Sequence, residues 1–141
     1  MTRIDGDGTT EAAHQMALIA AREYHRKQYP VLDLLRGSAD GEKRDHTVNA
    51  RGVRYSPTGV KLKRMGVQPD WPDLQCPVAR KGYHGWWGEM KKPGESPRPG
   101  QLAMMDRLRR EGHYVCWYDQ WPAMWNDLIN YLELPTDLLV L

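Results

Sequence analysis

The sequence predicts an α/β fold, a small mixed β-sheet flanked by helices in the order α-β-β-β-α-β-α. Three observations carry that expectation. Apolar residues recur at helical spacing from Glu11 to about Lys27, from Gln101 to Glu111 and from Pro122 to about Leu132. Between these stretches lie apolar runs of strand length, Leu74 to Ala79, Trp86 to Lys91 and His113 to Tyr118. Proline and glycine punctuate the boundaries, at Pro30, through Gly66 to Pro72, at Gly82 and Gly85, through Pro93 to Gly100, and at Gly112.

A chain of 141 residues suits one domain with a sizeable core. The expected division is a lead-in over 1–10, a domain over 11–133 and an apolar tail over 134–141. With 40% hydrophobic and 27% charged residues and a net charge of only +2, overall basicity does not argue for nucleic acid. Any such contact must come from local charge. No apolar run approaches the roughly 20 residues that span a bilayer, and the start lacks the apolar core of a signal peptide. A cytoplasmic protein is expected, in a bacterial or phage-infected cell, with no membrane partner and no nucleotide cofactor. Cys76 and Cys116 each sit in an apolar run without a CxxC partner and read as buried free thiols. The five histidines show no zinc-ligand grouping.

Taken in order, Thr9 or Thr10 can cap the first helix, whose apolar face is read as Met16, Ile19 and Ala20. Glu11 and Gln15 are four apart and share a face of its first turns, where a glutamate is also favoured by the helix dipole alone. Pro30 ends the helix; Val31 to Leu35 is a short apolar segment, and 37–44 has the composition of an exposed loop. His46 to Asn49 reads as a first strand. From Asn49 to Lys63 the chain carries Arg51, Arg54, Lys61 and Lys63, a basic loop leading into a short helix and suited to a phosphate backbone. Pro69 and Pro72 keep the approach to Asp73 extended, and Arg80 to Gly85 forms the turn that returns the chain as Trp86 to Lys91. The loop from Lys92 to Gly100, including Arg98, is a candidate substrate-facing rim. The next helix is read with Leu102, Met105 and Leu108 inward and Arg107, Arg109 and Arg110 outward. The apolar tail from Leu134 to Leu141 is read as packing back on the domain, with a subunit contact as the alternative.

The chemistry concentrates at Asp73, Glu89 and Lys91. Glu89 and Lys91 are two apart, so in a strand both leave one face while Met90 points the other way, into a core. An antiparallel pairing of the two strands brings Asp73 beside them. Two carboxylates and an amine can hold a hard divalent cation through oxygen and orient a water against a phosphate, the outline of a metal-dependent nuclease. The plain alternatives are a surface ion pair on an edge strand and a turn aspartate. Trp71, Trp86 and Trp87 can stack bases, but core packing is the stronger expectation for tryptophan.

These residues resemble a known pattern. Pro72-Asp73 followed by Glu89-Met90-Lys91 fits the PD-(D/E)xK signature of the restriction-endonuclease-like superfamily. The surroundings resemble the VRR-NUC domain more narrowly, through Glu11 and Gln15, Asn49 and Arg54, the segment Gly66 to Leu74, the Gly82-Tyr-His-Gly85 turn, and Gln101. The similarity runs from Glu11 to Leu132. Asp70 stands where the family has a glycine, and the loop from Ser96 to Gln101 carries two extra prolines. The resemblance implies a restriction-endonuclease-like core in which Asp73 and Glu89, with the Met90 backbone carbonyl, bind Mg2+ or Mn2+. Glu11 would reach the metal directly or through water. Lys91 would position or deprotonate the attacking water, and Gln101 would orient Lys91 or a phosphate. Asp73 rather than Asp70 is expected on the metal. Stand-alone domains of this kind resemble those of phages and prophages that act on branched DNA as homodimers, which gives the expected substrate and assembly. The rival reading is a metal-free nucleic-acid-binding module with the same fold.

Overall fold

In the computed structural model, which describes residues 10–38, 47–48, 51–52 and 54–141, the first helix is α1, Glu11–His25. The Thr10 hydroxyl accepts from the Ala13 N–H at 3.0 Å and fixes its start. Its inward residues are Ala13, His14 and Leu18, whereas Met16 and Ala20 are exposed and Ile19 is half-buried, so the expected apolar face is corrected. Alanines on every side of α1 leave the pattern without a unique face. His14 turns inward because its Nδ1 accepts the Trp121 N–H at the start of α4, Trp121–Tyr131. At the other end of α1, His25 stacks on Trp125 of that helix.

A 3-10 turn, Pro30–Leu34, leads into β1, Arg36–Gly37. The sequence reading gave Gly37 to a loop; it lies instead on an edge strand. Gln15 fills the space that a side chain there would take: its Nε2 lies 3.0 Å from where a Cβ would stand. Residues 39–46 lie outside the described residues, as does Asn49. The expected first strand is represented by β2, Thr47–Val48, which pairs with β3, Arg54–Tyr55, in a separate two-stranded ribbon. The basic segment then forms α2, Pro57–Arg64, capped by the Ser56 hydroxyl.

The main sheet is mixed and four-stranded, in the order β1-β4-β5-β6, with β4 at Leu74–Cys76, β5 at Trp86–Met90 and β6 at Tyr114–Tyr118. β4 is shorter than expected because Pro77 offers no N–H to the ladder. β1 and β4, and β4 and β5, run antiparallel; β5 and β6 run parallel, joined by α3, Pro99–Arg110. The β4–β5 register sets Leu74 opposite Gly88 and Gln75 opposite Trp87.

The two faces of this sheet differ in purpose. On one, Leu74, Cys76, Trp86 and Met90 pack with Leu18 of α1 and with Met124, Trp125 and Leu128 of α4 to form the main core. Gly88 lets the Trp86 ring and Met124 close over the strand, since a Cβ there would stand 2.5 Å from the indole. On the other, Met105 and Leu108 of α3 meet Val115, with Trp71 and Trp87 beside them. The inward stripe of α3 is Gln101, Met105 and Leu108; Leu102 is exposed, contrary to expectation, because spacings of four and three run through the glutamine. The tail folds back as expected: the Trp125 indole donates to the Leu138 carbonyl, and Asn126 bonds both backbone groups of Val140. Cys76 and Cys116 are buried free thiols.

Asp127 of α4 fastens the helix to both parallel strands, accepting from the Trp86 indole at 3.0 Å and from the Tyr114 and Tyr118 hydroxyls at 2.8 and 2.6 Å. Replacing it by alanine strips three part-buried donors of their acceptor. Asp127→Ala is therefore expected to cost about 2–4 kcal/mol, seen as a lower urea midpoint at unchanged m-value. A loss below about 0.5 kcal/mol would mean that the strands do not depend on this anchor.

Candidate active site

The side chains of the site are delivered by four elements. Asp73 directly precedes β4, Glu89 lies in β5, Lys91 follows that strand, Glu11 opens α1 and Gln101 sits in the first turn of α3. Lys91 keeps the alternation because its N–H donates to the Tyr118 carbonyl, which extends the ladder one residue beyond β5.

The two central carboxylates are tied by reciprocal bonds. The Asp73 N–H donates to Glu89 Oε2 at 3.1 Å, and the Met90 N–H donates to Asp73 Oδ2 at 3.2 Å. The other oxygen of Glu89 accepts from the Gln101 amide at 2.9 Å and lies 3.5 Å from Lys91 Nζ. Gln101 is itself held, its oxygen accepting from the Arg98 N–H at 2.9 Å. Lys91 Nζ is also 4.0 Å from Glu11 Oε2. Glu89 is 1% exposed and Lys91 7%, which rules out the surface ion pair considered above.

Carboxylate oxygens of Glu11, Asp73 and Glu89 all lie within 4.8 Å of one another. Burial pushes Asp73 up to about 7, and the negative charge of Glu11 adds to the shift against the opposing Met90 N–H and Lys91. Burial likewise pushes Glu89 up to about 8, with Asp73 adding and Lys91 opposing. The cleft above them encloses about 780 Å³, and among the described residues its wall carries Glu11, Asp70, Asp73, Glu89 and Glu95, five carboxylates, against Lys91 and Arg98. One lysine does not neutralise this cluster. A donor set made of carboxylate oxygens, crowded and short of positive charge, fits a hard divalent cation.

Asp70 stands apart from the cluster. It adopts φ 73°, the left-handed region natural to the glycine of the resembled pattern, and pairs with Arg98 at 3.8 Å. Its carboxylate rests against the start of α3, where a Cβ on Gly100 would meet Oδ2 at 2.5 Å. The rim expected from the loop after β5 is formed by Gly94, Glu95, Ser96 and Arg98; Lys92 is exposed and outside it. Lys61 and Lys63 are exposed on α2, Arg51 is exposed before β3, and Arg54 lies in β3. Asn49 falls outside the described residues. The sequence reading passed over Arg36 and Gln75, which carry no motif and face each other only through the register of β1 and β4.

A fold in which a mixed sheet carries an aspartate and a Glu-x-Lys pair on adjacent strands, with an acidic residue from the first helix, is of the restriction-endonuclease-like class. A solved structure described as a VRR_NUC domain protein matches this chain with a TM-score of 0.65 over 89% of each chain, at 25% identity. The fold is thus restriction-endonuclease-like and similar to that of a VRR_NUC domain protein, a nuclease-like domain. No family model and no curated protein sequence matches the chain. Among the described residues, no helix is long and apolar enough to cross a membrane.

The raised carboxylates set a pH dependence with a definite sign. An acid whose folded value lies above its free value binds its proton more tightly when folded. Its contribution is full below the ordinary values of 3.8 and 4.5 and is lost as pH rises through about 7 and 8. Chelator-treated protein is therefore expected to lose thermal stability between about pH 5 and pH 8 relative to Asp73→Asn. Mn2+ should raise the wild-type midpoint more at the upper end of that window, and the Asp73→Asn midpoint hardly at all. Equal Mn2+ shifts in the two proteins would place the cation elsewhere.

Proposed function

We propose that this protein is a divalent-metal-dependent endodeoxyribonuclease that hydrolyses phosphodiester bonds in the cleft over Asp73, Glu89 and Lys91. The observation that carries the reading is the crowding of three carboxylates, two of them held high by burial, against the buried Lys91. The match to a VRR_NUC domain protein supports it. Asp73, Glu89 and the Met90 carbonyl would hold Mg2+ or Mn2+, with Glu11 reaching it directly or through water. Bound there, the cation supplies neutralisation of phosphoryl charge and lowers the pKa of a coordinated water.

The remaining work falls to the chain. Glu89 is immobilised from three sides, by the Asp73 N–H, the Gln101 amide and Lys91, so its oxygens are aimed before substrate arrives. Gln101 is a positioning residue in this account: its amide is engaged by Glu89 and by the Arg98 N–H, and it acts on the chemistry through Glu89. Lys91 Nζ stands 3.5 Å from Glu89 and 4.0 Å from Glu11, beside the position of the attacked phosphate. That place suits it to position or deprotonate the attacking water, or to stabilise charge on the phosphate. Arg98 at the rim, Lys92 beyond it and the basic stretch with Asn49, Arg51, Arg54, Lys61 and Lys63 would follow the DNA backbone.

Branched DNA, such as four-way junctions or flaps, is the proposed substrate form, with a homodimer presenting two sites for symmetric cutting. Leu138 and Val140 are held by α4 of their own chain, while Leu141 stays exposed at the end of the tail for such a contact.

Lys91→Ala should lower the Mg2+-dependent cleavage rate by about 10²–10³-fold while DNA affinity, measured by fluorescence anisotropy, changes little. Unchanged cleavage would remove Lys91 from the site. If wild-type protein with Mg2+ or Mn2+ leaves duplex, flap, single-stranded and four-way-junction DNA all intact yet binds them, the metal-free binding module is the correct reading.

A further inference from the structure

We propose that a hollow on the β1 side of Asp73 receives an unpaired nucleobase from the DNA strand held in the cleft, so that the protein cuts beside a base drawn out of the stack. This rests on the nuclease reading and adds the feature by which that site would select its substrate.

The hollow encloses about 290 Å³, at the lower end of small-ligand sites. Its position follows from the strand register. Gln75 is two residues beyond Asp73 on the β4 side, and Gln75 faces Trp87 across the β4–β5 pair, just as Asp73 meets Glu89. Two residues along a strand span about 7 Å and return to the same sheet face, so the hollow lies one side-chain step from the carboxylates. Asp73, Trp71 and Gln68 belong to the walls of both spaces, which makes the hollow a side chamber of the cleft.

Its lining has the character of a base. Trp71 and Trp87 meet at 58° with 5.5 Å between ring centroids, a tilted corner rather than a closed stack. With Val67 they offer flat apolar surface to the face of a heterocycle. Arg36, Gln68 and Gln75 supply the polar side. The Arg36 Nε–H already donates to Gln75 Oε1 at 3.2 Å, which leaves the terminal nitrogens of Arg36 and the amide nitrogen of Gln75 as donors for the acceptor edge of a base. Among the described residues, no carboxylate other than Asp73 lines it, in contrast to the acidic cleft. A base paired and stacked in a duplex cannot present both a face and an edge to such a chamber. A base at a junction, flap or single-stranded segment can, at a smaller unstacking cost.

The test uses the full chain with Mn2+ and single-stranded and flap oligonucleotides whose cut position has been mapped. Each nucleotide flanking the cut is replaced in turn by an abasic tetrahydrofuran. Removal of one base next to the cut is expected to lower kcat/KM by about tenfold, and removal of the others by less than about twofold. In Trp71→Leu, and separately in Arg36→Ala, which leaves the hydrophobic core untouched, the ratio of intact to abasic kcat/KM should fall towards one. A flat abasic profile with cleavage intact, or a ratio unchanged in both variants, overturns the proposal and leaves the nuclease reading standing. The same oligonucleotides titrated in Ca2+ by fluorescence anisotropy separate the two ideas. Tighter binding of the intact strand without any cleavage would keep the base site and remove the nuclease; neither cleavage nor base preference removes both.

Discussion

The reciprocal pair of hydrogen bonds between Asp73 and the Glu89–Met90 segment is the constraint on which the site depends. Each carboxylate is held by a backbone N–H of the opposite strand, at 3.1 and 3.2 Å, so the acids are placed by the sheet ladder rather than by flexible side chains alone. The ladder in turn depends on Leu74 facing Gly88. A slip of one residue would turn Asp73 towards the core and Leu74 towards the cleft, and both faces of the sheet would fail together. Buried Leu74, Trp86 and Met90 on the far face therefore enforce the position of the acids on the near one. Packing and chemistry share a single register.

This arrangement is unfavourable by itself. Glu89 is almost fully buried, Asp73 is half-buried, and both are held in a field to which Glu11 adds. Lys91 and Gln101 offset part of the cost through one close charge and one hydrogen bond. The fold supplies the rest from its two cores, where Trp86, Trp125, Leu128 and Met105 are fully buried and each such side chain contributes about 1.5–3 kcal/mol. A site under this electrostatic tension is what a cation relieves, and strain of this kind is concentrated at functional residues rather than spread through a fold.

Much of this was legible in the residues. The Glu89-Met90-Lys91 alternation, the turn that returns the chain from Asp73 and the buried thiols were all readable, because each rests on local periodicity or on a proline or glycine with a fixed conformational demand. Inward faces were read less well. Met16 and Ala20 were assigned to the core and are exposed, since an alanine-rich helix has no unique apolar side, while His14 and Gln101 turned inward through hydrogen bonds that only the tertiary fold provides. β1 was missed because two residues carry no pattern; it exists through pairing with β4. Trp71, Trp86 and Trp87 look alike in sequence, yet Trp86 lies in the core and the other two border the hollow beside Asp73, a distinction drawn by strand alternation and visible only once the register is known.

The central claim is that the tension among Glu11, Asp73 and Glu89 exists to bind a divalent cation. Anomalous diffraction from crystals grown with saturating Mn2+, recorded near the manganese absorption edge, tests it most directly. The account predicts a manganese peak in the cleft, bonded to carboxylate oxygens of both Asp73 and Glu89 and to the Met90 carbonyl. A cleft without manganese, while Asp73 and Glu89 keep their backbone N–H partners, would contradict it.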